Sequence, residues 1–470
     1  MPTLGCSVDS QDRIELTLEG RRQATYVVGI TGTGKTTLLL NIALQDISAG
    51  DGVCVMDPHG DVTEDLLLRI PKHRVDDVIL FDPADIDYPF ALNLFECSDR
   101  DDPRLVDRVC SEIVTTFYKL FYYSWGPHLE DLLRHSILTL LANEGSTLLD
   151  MLILLTQEDR REEMAARVAD PVIQTYWRDR FPKRAKDQPE WVGSTLNKVG
   201  RFLSNQLIRN IVSQPRSTFD LRDIMDEGKI LLVNLSKGKL GEDNSALLGS
   251  VLVGKILIAA LSRADVPKEQ RTPFHLIVDE YQSFATQSFP TLQSEARKFN
   301  IDTIVAHQYR DQLDELNRGS TLNVGNLIVF RVTGKDSHEL AAQFDNTPPE
   351  PDLERQPMLY NTSREGVYRT ADRGQYVLIP GKARLYSDVQ AEMANRLTNL
   401  PNFQARCTLV ESNGLVEYAL ETELPKADPD PGVAAYIRER SRKMALPRNQ
   451  IEKAIQERMA KGAPPITFYD

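Results

Sequence analysis

Short, wholly apolar runs recur along the chain, and stretches of helical periodicity lie between them. Tyr26-Val27-Val28, Val53-Cys54-Val55-Met56 and Val78-Ile79-Leu80-Phe81 carry no polar alternation, the pattern of strands buried on both faces. Helical runs are predicted over Leu38–Ile47 and Val62–Ile70, the second with Asp61 and Glu64 at the spacing of a capping box. Before these, Ile14 to Leu18 alternates as a half-buried strand does. From Pro103 to Asp220 the pattern changes. Leu129, Leu132, Leu133, Ile137, Leu140 and Leu141 follow a 3.6-residue repeat, and Trp125, Trp177 and Trp191 fall in the same block, where packing is their expected role. Strand runs resume at Lys229–Leu235, Phe274–Val278, Asp302–Ala306, Asn326–Val332 and Gln375–Ile379, with an apolar helix over 246–261 among them. Ala405–Val410 and Val416–Glu421 flank Ser412-Asn413-Gly414 as a hairpin. A mixed-charge helix over 448–461 reads equally as a solvated face or a partner-binding handle. The whole predicts an α/β fold with a mainly parallel sheet and an inserted all-α domain. Its divisions are a first core segment 1–97, the helical insertion 98–220, a second core segment 221–400 and a C-terminal hairpin and helical tail 401–470.

Composition narrows the function classes. At 470 residues and 41% hydrophobic the chain can bury a large core. A net charge of −13 excludes a global basic footprint, so nucleic-acid contact would have to come from local patches multiplied by oligomerisation. Five cysteines without metal or CxxC spacing suit buried thiols in a reducing compartment. The 246–261 segment, broken by Gly249, Gly254 and Lys255, is shorter than a bilayer span, and no signal peptide is present. A soluble, cytoplasmic chain is the expectation.

The chemistry-bearing stretch is Gly29-Ile30-Thr31-Gly32-Thr33-Gly34-Lys35-Thr36, between the Tyr26–Val28 run and a helix. It fits G-x-x-x-x-G-K-[ST] in the required strand–turn–helix setting. Gly29, Thr31, Gly32, Thr33, Gly34, Lys35, Thr36 and Thr37 are therefore the candidate ATP-binding residues. Lys35 would reach the β- and γ-phosphates and Thr36 would ligate Mg²⁺. Phe274–Val278 ends in Asp279-Glu280, where Asp279 can join the Mg²⁺ shell and Glu280 can orient the attacking water. Asp302–Ala306 ends in His307-Gln308, and Gln308 is a candidate sensor of the γ-phosphate.

Taken together, GITGTGKTT, VMDPHGD, KILLVNLSKGKLGE, LIVDEYQSF, SEARKF and IVAHQ resemble the HerA/FtsK superfamily of hexameric DNA-pumping ATPases. Within it they are most similar to the conjugative coupling proteins of type IV secretion, of TraG/TraD and TrwB type, over about residues 20–400. The resemblance implies a RecA-like core and a homohexameric ring that moves DNA through a central channel. It also implies a relaxase and other type IV secretion components as partners. By motif it makes Lys35, Thr36, Asp279 and Glu280 the hydrolytic set, Gln308 the sensor and Arg297 of SEARKF an arginine finger reaching the neighbouring subunit. Coupling proteins of this kind usually begin with membrane helices and this sequence shows none, so any membrane association would run through partners. Two other readings stay open: a related ring ATPase for protein secretion or DNA end-processing, and an assembly module gated by nucleotide. Lys237 and Lys239, then Arg310 and Arg318, are candidates for contacting DNA phosphates, or else ordinary solvated charges.

Overall fold

The computed structural model describes residues 1–184, 186–349 and 384–461, and the backbone of four strands between 353 and 380. Its central element is one sheet of 11 strands, ordered β2-β1-β15-β14-β9-β3-β8-β7-β4-β6-β5. Here β1 is Thr3–Ser7, β2 Arg13–Glu15, β3 Thr25–Val28, β4 Gly52–Asp57 and β5 Val78–Phe81. Further along, β6 is Ile230–Asn234, β7 Phe274–Val278, β8 Ile301–His307 and β9 Asn326–Val329. The chain then forms two small antiparallel ribbons, β10 (Leu353–Pro357) with β13 (Tyr376–Pro380) and β11 (Leu359–Asn361) with β12 (Tyr368–Thr370). Finally β14 (Gln404–Glu411) and β15 (Gly414–Glu421) form the expected hairpin, which continues the main sheet through β14 against β9. From β9 to β5 all neighbours are parallel. The RecA-like, mainly parallel α/β architecture is therefore the one found.

Apolar runs without alternation form the parallel part because both faces are covered. Tyr26, Val28, Cys54 and Met56 join one core with the Glu242–Ser262 helix and the helices between Pro103 and Val212. Val27, Val53 and Val55 join the other, under the helices Lys35–Ala49, Asp61–Leu67 and Pro431–Arg442. Trp177 is buried in the helical block, as packing requires.

Several local expectations change. Ile14–Leu18 is a strand only as far as Glu15. Thr17 then caps a short helix, Leu18–Arg21, its hydroxyl accepting from the Gly20 N–H. The Asp61/Glu64 capping box is absent, because Gly60 takes the N-cap position with φ 94° and Asp57 supplies the carboxylate from the end of β4. Ser236–Gly241 contains a short helix, Lys237–Leu240, rather than an open loop. The apolar 246–261 segment lies in a helix running from Glu242 to Ser262. By length and composition that helix could cross a membrane, but 72% of its apolar window is buried against the rest of the chain. The mixed-charge tail helix keeps Lys453 and Glu457 on a solvated face and packs its other face on the chain. Ile451 and Ile455 are buried in the core shared with the helical block, and Arg458 donates to Asp150 at 2.9 Å.

At the N-terminal ends of the parallel strands lies a buried ionic cluster. Arg21 forks onto Asp46 at 2.5 and 2.7 Å and donates through Nε to Asp302 at 2.7 Å. His275 bridges Asp302 and Asp51.

Candidate functional site

The opposite ends of the strands carry a cleft of about 250 Å³. The P-loop enters it because β3 lies inside the sheet and the chain must turn at once into the Lys35–Ala49 helix. Gly32 and Gly34 make that turn at φ 78° and 117°. A side chain on Gly29 would strike Phe330, whose β-carbon lies 2.6 Å from the position a Cβ would take. Thr31, Gly32, Gly34, Lys35, Thr36 and Thr37 line the cleft. Among the cofactor-binding candidates, Gly29 and Thr33 do not, since they shape the loop from behind. The Thr33 hydroxyl donates to the Ile30 carbonyl at 2.7 Å.

Lys35 is folded onto its own loop, with Nζ 2.6 Å from the Gly29 carbonyl and 3.3 Å from that of Ile30. Burial lowers its pKa, opposed by the charges of Asp279 and Glu280. Asp279, at the tip of β7, is pushed up to about 7 by burial and then by the neighbouring carboxylates of Glu280 and Asp57, with the Glu280 N–H and Lys35 pulling the other way. Glu280 follows in a left-handed conformation, φ 45° and ψ 51°, a strain of about 1–3 kcal/mol of the kind that collects at functional sites. Both its oxygens are held by amides: Oε1 accepts from Gln308 at 2.9 Å and Oε2 from Gln282 at 2.6 Å. His59 Nε2 stands 3.9 Å from Oε1. Donor groups at a helix N-terminus, a lysine bonded only to its own loop and three crowded carboxylates fit a polyphosphate carrying a divalent cation.

A model of the type IV secretion-system coupling protein DNA-binding domain matches residues 12–365. The chain belongs to that family. The resemblance read from the motifs is thereby shown. Similar solved structures cover about nine-tenths of the chain. The bacterial conjugative coupling protein TrwBdeltaN70, in its unbound form, aligns with TM-score 0.57 at 15% identity, covering 91% of each chain. The plasmid coupling protein TrwB in complex with ADP and Mg²⁺ aligns equally well, at 15% identity over 92% of each. VirB4 of Thermoanaerobacter pseudethanolicus aligns with TM-score 0.53 at 12% identity, over 90% of this chain and 96% of that one. At these identities the likeness is one of fold. No curated protein matches the chain.

Within this family member the predicted site residues divide. Lys35, Thr36, Asp279, Glu280 and Gln308 meet in the cleft. Arg297 does not line it. It is exposed on the turn Ala296–Phe299, and the neighbouring Glu295 pairs with Lys298. Of the basic candidates, Arg310 is 1% exposed, bonded to Thr321 and the Arg318 carbonyl, so it is closed to a phosphate. Arg318 is paired with Asp311 and Glu339. Lys237 donates to the Ser283 hydroxyl at 2.8 Å, and Lys239 is exposed. Three cleft residues were not singled out from the sequence. Asp57 anchors the turn after β4, accepting from the N–H groups of His59, Gly60 and Thr63 at 2.8, 2.8 and 3.0 Å. His59 lies beside Glu280. Phe403 arrives from far along the chain. Its N–H bonds the Thr33 carbonyl at 2.7 Å, and Arg331 ties its loop down through Leu400 and Asn402.

Proposed function

We propose that the chain hydrolyses ATP in a homohexameric ring and uses the energy to move DNA through the central channel in type IV secretion, as a conjugative coupling motor. The observation that carries this reading is the meeting of the P-loop, Asp279, Glu280 and Gln308 in one cleft of a chain from a DNA-binding coupling family. Lys35 leaves the Gly29 and Ile30 carbonyls for the β- and γ-phosphates, and the N-terminus of its helix faces the same charge. Thr36 and Asp279 would hold Mg²⁺, which neutralises charge on the phosphate oxygens when bound; the ADP and Mg²⁺ of the TrwB neighbour support both choices. Glu280 orients the attacking water, and Gln308, bonded to Glu280, senses whether a γ-phosphate is present. Arg297, outside its own cleft, acts as a finger on the neighbouring subunit's nucleotide. Lys239, with Lys237, contributes to the basic lining of the channel. The ring works on the cytoplasmic side, attached to the membrane and supplied with DNA through relaxase and secretion partners.

Glu280→Gln keeps shape and hydrogen bonding but removes the carboxylate, so ATP should bind while turnover drops about 10²–10⁴-fold. Lys35→Ala should lose binding itself. Wild-type turnover by purified Glu280→Gln protein overturns the assignment, and turnover indifferent to added DNA overturns the motor in favour of a nucleotide-gated module.

A further inference from the structure

Glu280 does not stand alone in the cleft. The residue two positions on, Gln282, belongs to the short turn Tyr281–Ser283, and its amide takes one oxygen of the Glu280 carboxylate. That turn is pinned from three sides. The buried Tyr281 hydroxyl donates to Asn317 at 2.5 Å. Lys237 donates to the Ser283 hydroxyl at 2.8 Å. The third grip comes from the helical block. Lys119, on the last turn of the Pro103–Phe121 helix, donates to the backbone carbonyls of Gln282 at 3.3 Å and Ser283 at 2.8 Å.

The third grip is an expensive one. Burial pushes the Lys119 ammonium well below the ordinary lysine range, with only the charge of Asp314 opposing it and Lys237 adding to it. Two carbonyls at the end of a turn need no cation to be satisfied; water or a neutral donor would serve. An ammonium brought there from a separate helical layer fixes something more demanding than a turn. What the turn fixes is the amide of Gln282, and through it a carboxylate already strained at φ 45°.

We propose that Gln282 is a positioning residue for Glu280 and that Lys119 sets the stance of Gln282, so that the helical block is connected to water activation. The inference rests on the reading of Glu280 as the residue that orients water. A carboxylate has about four lone-pair sites, and amides from Gln308 and Gln282 take two of them, leaving the carboxylate plane fixed and acceptor capacity for a water. Removing the Gln282 amide lets the carboxylate swing, which degrades the chemical step and not nucleotide affinity. The helix that carries Lys119 continues directly into Tyr122 and Tyr123, both exposed, so whatever the helical block engages can reach the chain one turn beyond Lys119.

The test measures ATP turnover against ATP concentration in the full chain, with affinity for a non-hydrolysable ATP analogue measured alongside. Gln282→Ala should lower kcat by about 10-fold or more, with KM and analogue affinity held within about twofold. Lys119→Met should lower kcat several-fold, and Lys119→Arg, which restores donors, should recover most of it. The double variant Lys119→Met/Gln282→Ala should be no slower than Gln282→Ala alone, because both losses act through one carboxylate. Losses that multiply independently, equal losses in the Met and Arg variants, or weakened analogue affinity at unchanged kcat would each overturn the connection. Glu280→Gln separates the two levels. If it turns over ATP at the wild-type rate, the hydrolytic reading fails; if it is inactive while Gln282→Ala runs at full speed, only the positioning role fails.

Discussion

The two ends of the parallel strands carry the same kinds of side chain in opposite electrostatic states. At the N-terminal ends, Arg21, Asp46, Asp302, His275 and Asp51 neutralise one another. The environment favours the charged forms of Arg21, Asp302, Asp51 and His275: Arg21 is raised, Asp302 is held below the carboxylate range by His275 and Arg21 against its own burial, Asp51 is lowered by its hydrogen bond to His275, and His275 is raised to about 9. At the C-terminal ends the charges are set against themselves. Burial and like charge raise Asp279 to about 7, and burial lowers Lys35. Asp46, Asp51 and His275 offer ligand atoms within 4.8 Å of one another, yet Arg21 already supplies the positive charge there. Perturbation alone therefore does not mark a function. Its direction separates these two clusters: the one driven toward its charged forms is internally paired, and the one driven toward neutrality lines a cleft that fits a charged ligand.

The largest way to break this comparison is to remove the cation from the internally paired end. Arg21→Met leaves Asp46 without its counter-charge in a buried site and Asp302 with His275 alone. The expected loss is about 3–5 kcal/mol of unfolding free energy. ATP-analogue affinity per folded molecule should not change, as denaturant titration and a binding isotherm would show. The reciprocal change at the other end, Asp279→Asn, should lower turnover by about 10²-fold or more through lost Mg²⁺ binding, yet raise the melting temperature of the nucleotide-free protein. A lowered melting temperature would mean that Asp279 is already compensated.

The smallest effect is one of pH and sharpens the same contrast. His275 is charged in the fold and raised from 6.5 to about 9 by Asp302 and Asp51 against its own burial, so its contribution is complete below about pH 6.5 and disappears as pH rises through about 9. Asp279 is raised from 3.8 to about 7, so the native state holds a proton that the unfolded chain has released, and stability falls as pH rises from about 4 to about 7. Within each window stability changes by at most about 1.4 kcal/mol per pH unit. His275→Gln should erase the upper window and Asp279→Asn the lower one in unfolding midpoints measured across pH. Loss of both windows from a single variant would show that the two ends are not independent.

The parts of the site legible in the sequence were those built by neighbours in the chain. Gly29 to Thr36 carries its own geometry, since glycines, lysine and helix start act within one turn, and Asp279-Glu280 follows directly from an apolar strand. Phe403 could not be read, because its place depends on β14 pairing with β9 and on one backbone bond to Thr33. Gln282 lay within a recognised motif, but its partner is defined by the left-handed backbone at Glu280, which no spacing predicts. Asp57 was visible as the end of a strand; the helix cap was assigned to Asp61 because the rule weighs neighbours, while the carboxylate that caps reaches across Gly60. Arg310 and Arg318 had the charge expected of a DNA contact, and only burial and pairing withdrew it.

The order of the sheet also governs how the molecule comes into being. β1 pairs with β15, so an early strand waits for a much later one. The P-loop leaves the ribosome early, but Phe403 and the β14 strand that shields β9 follow on the order of a minute later at roughly 5–20 residues per second. Throughout that interval the nascent chain carries a phosphate-binding loop without its closing residue and a parallel strand without its neighbour. The complete cleft therefore exists only once the chain beyond Leu400 has docked on the P-loop.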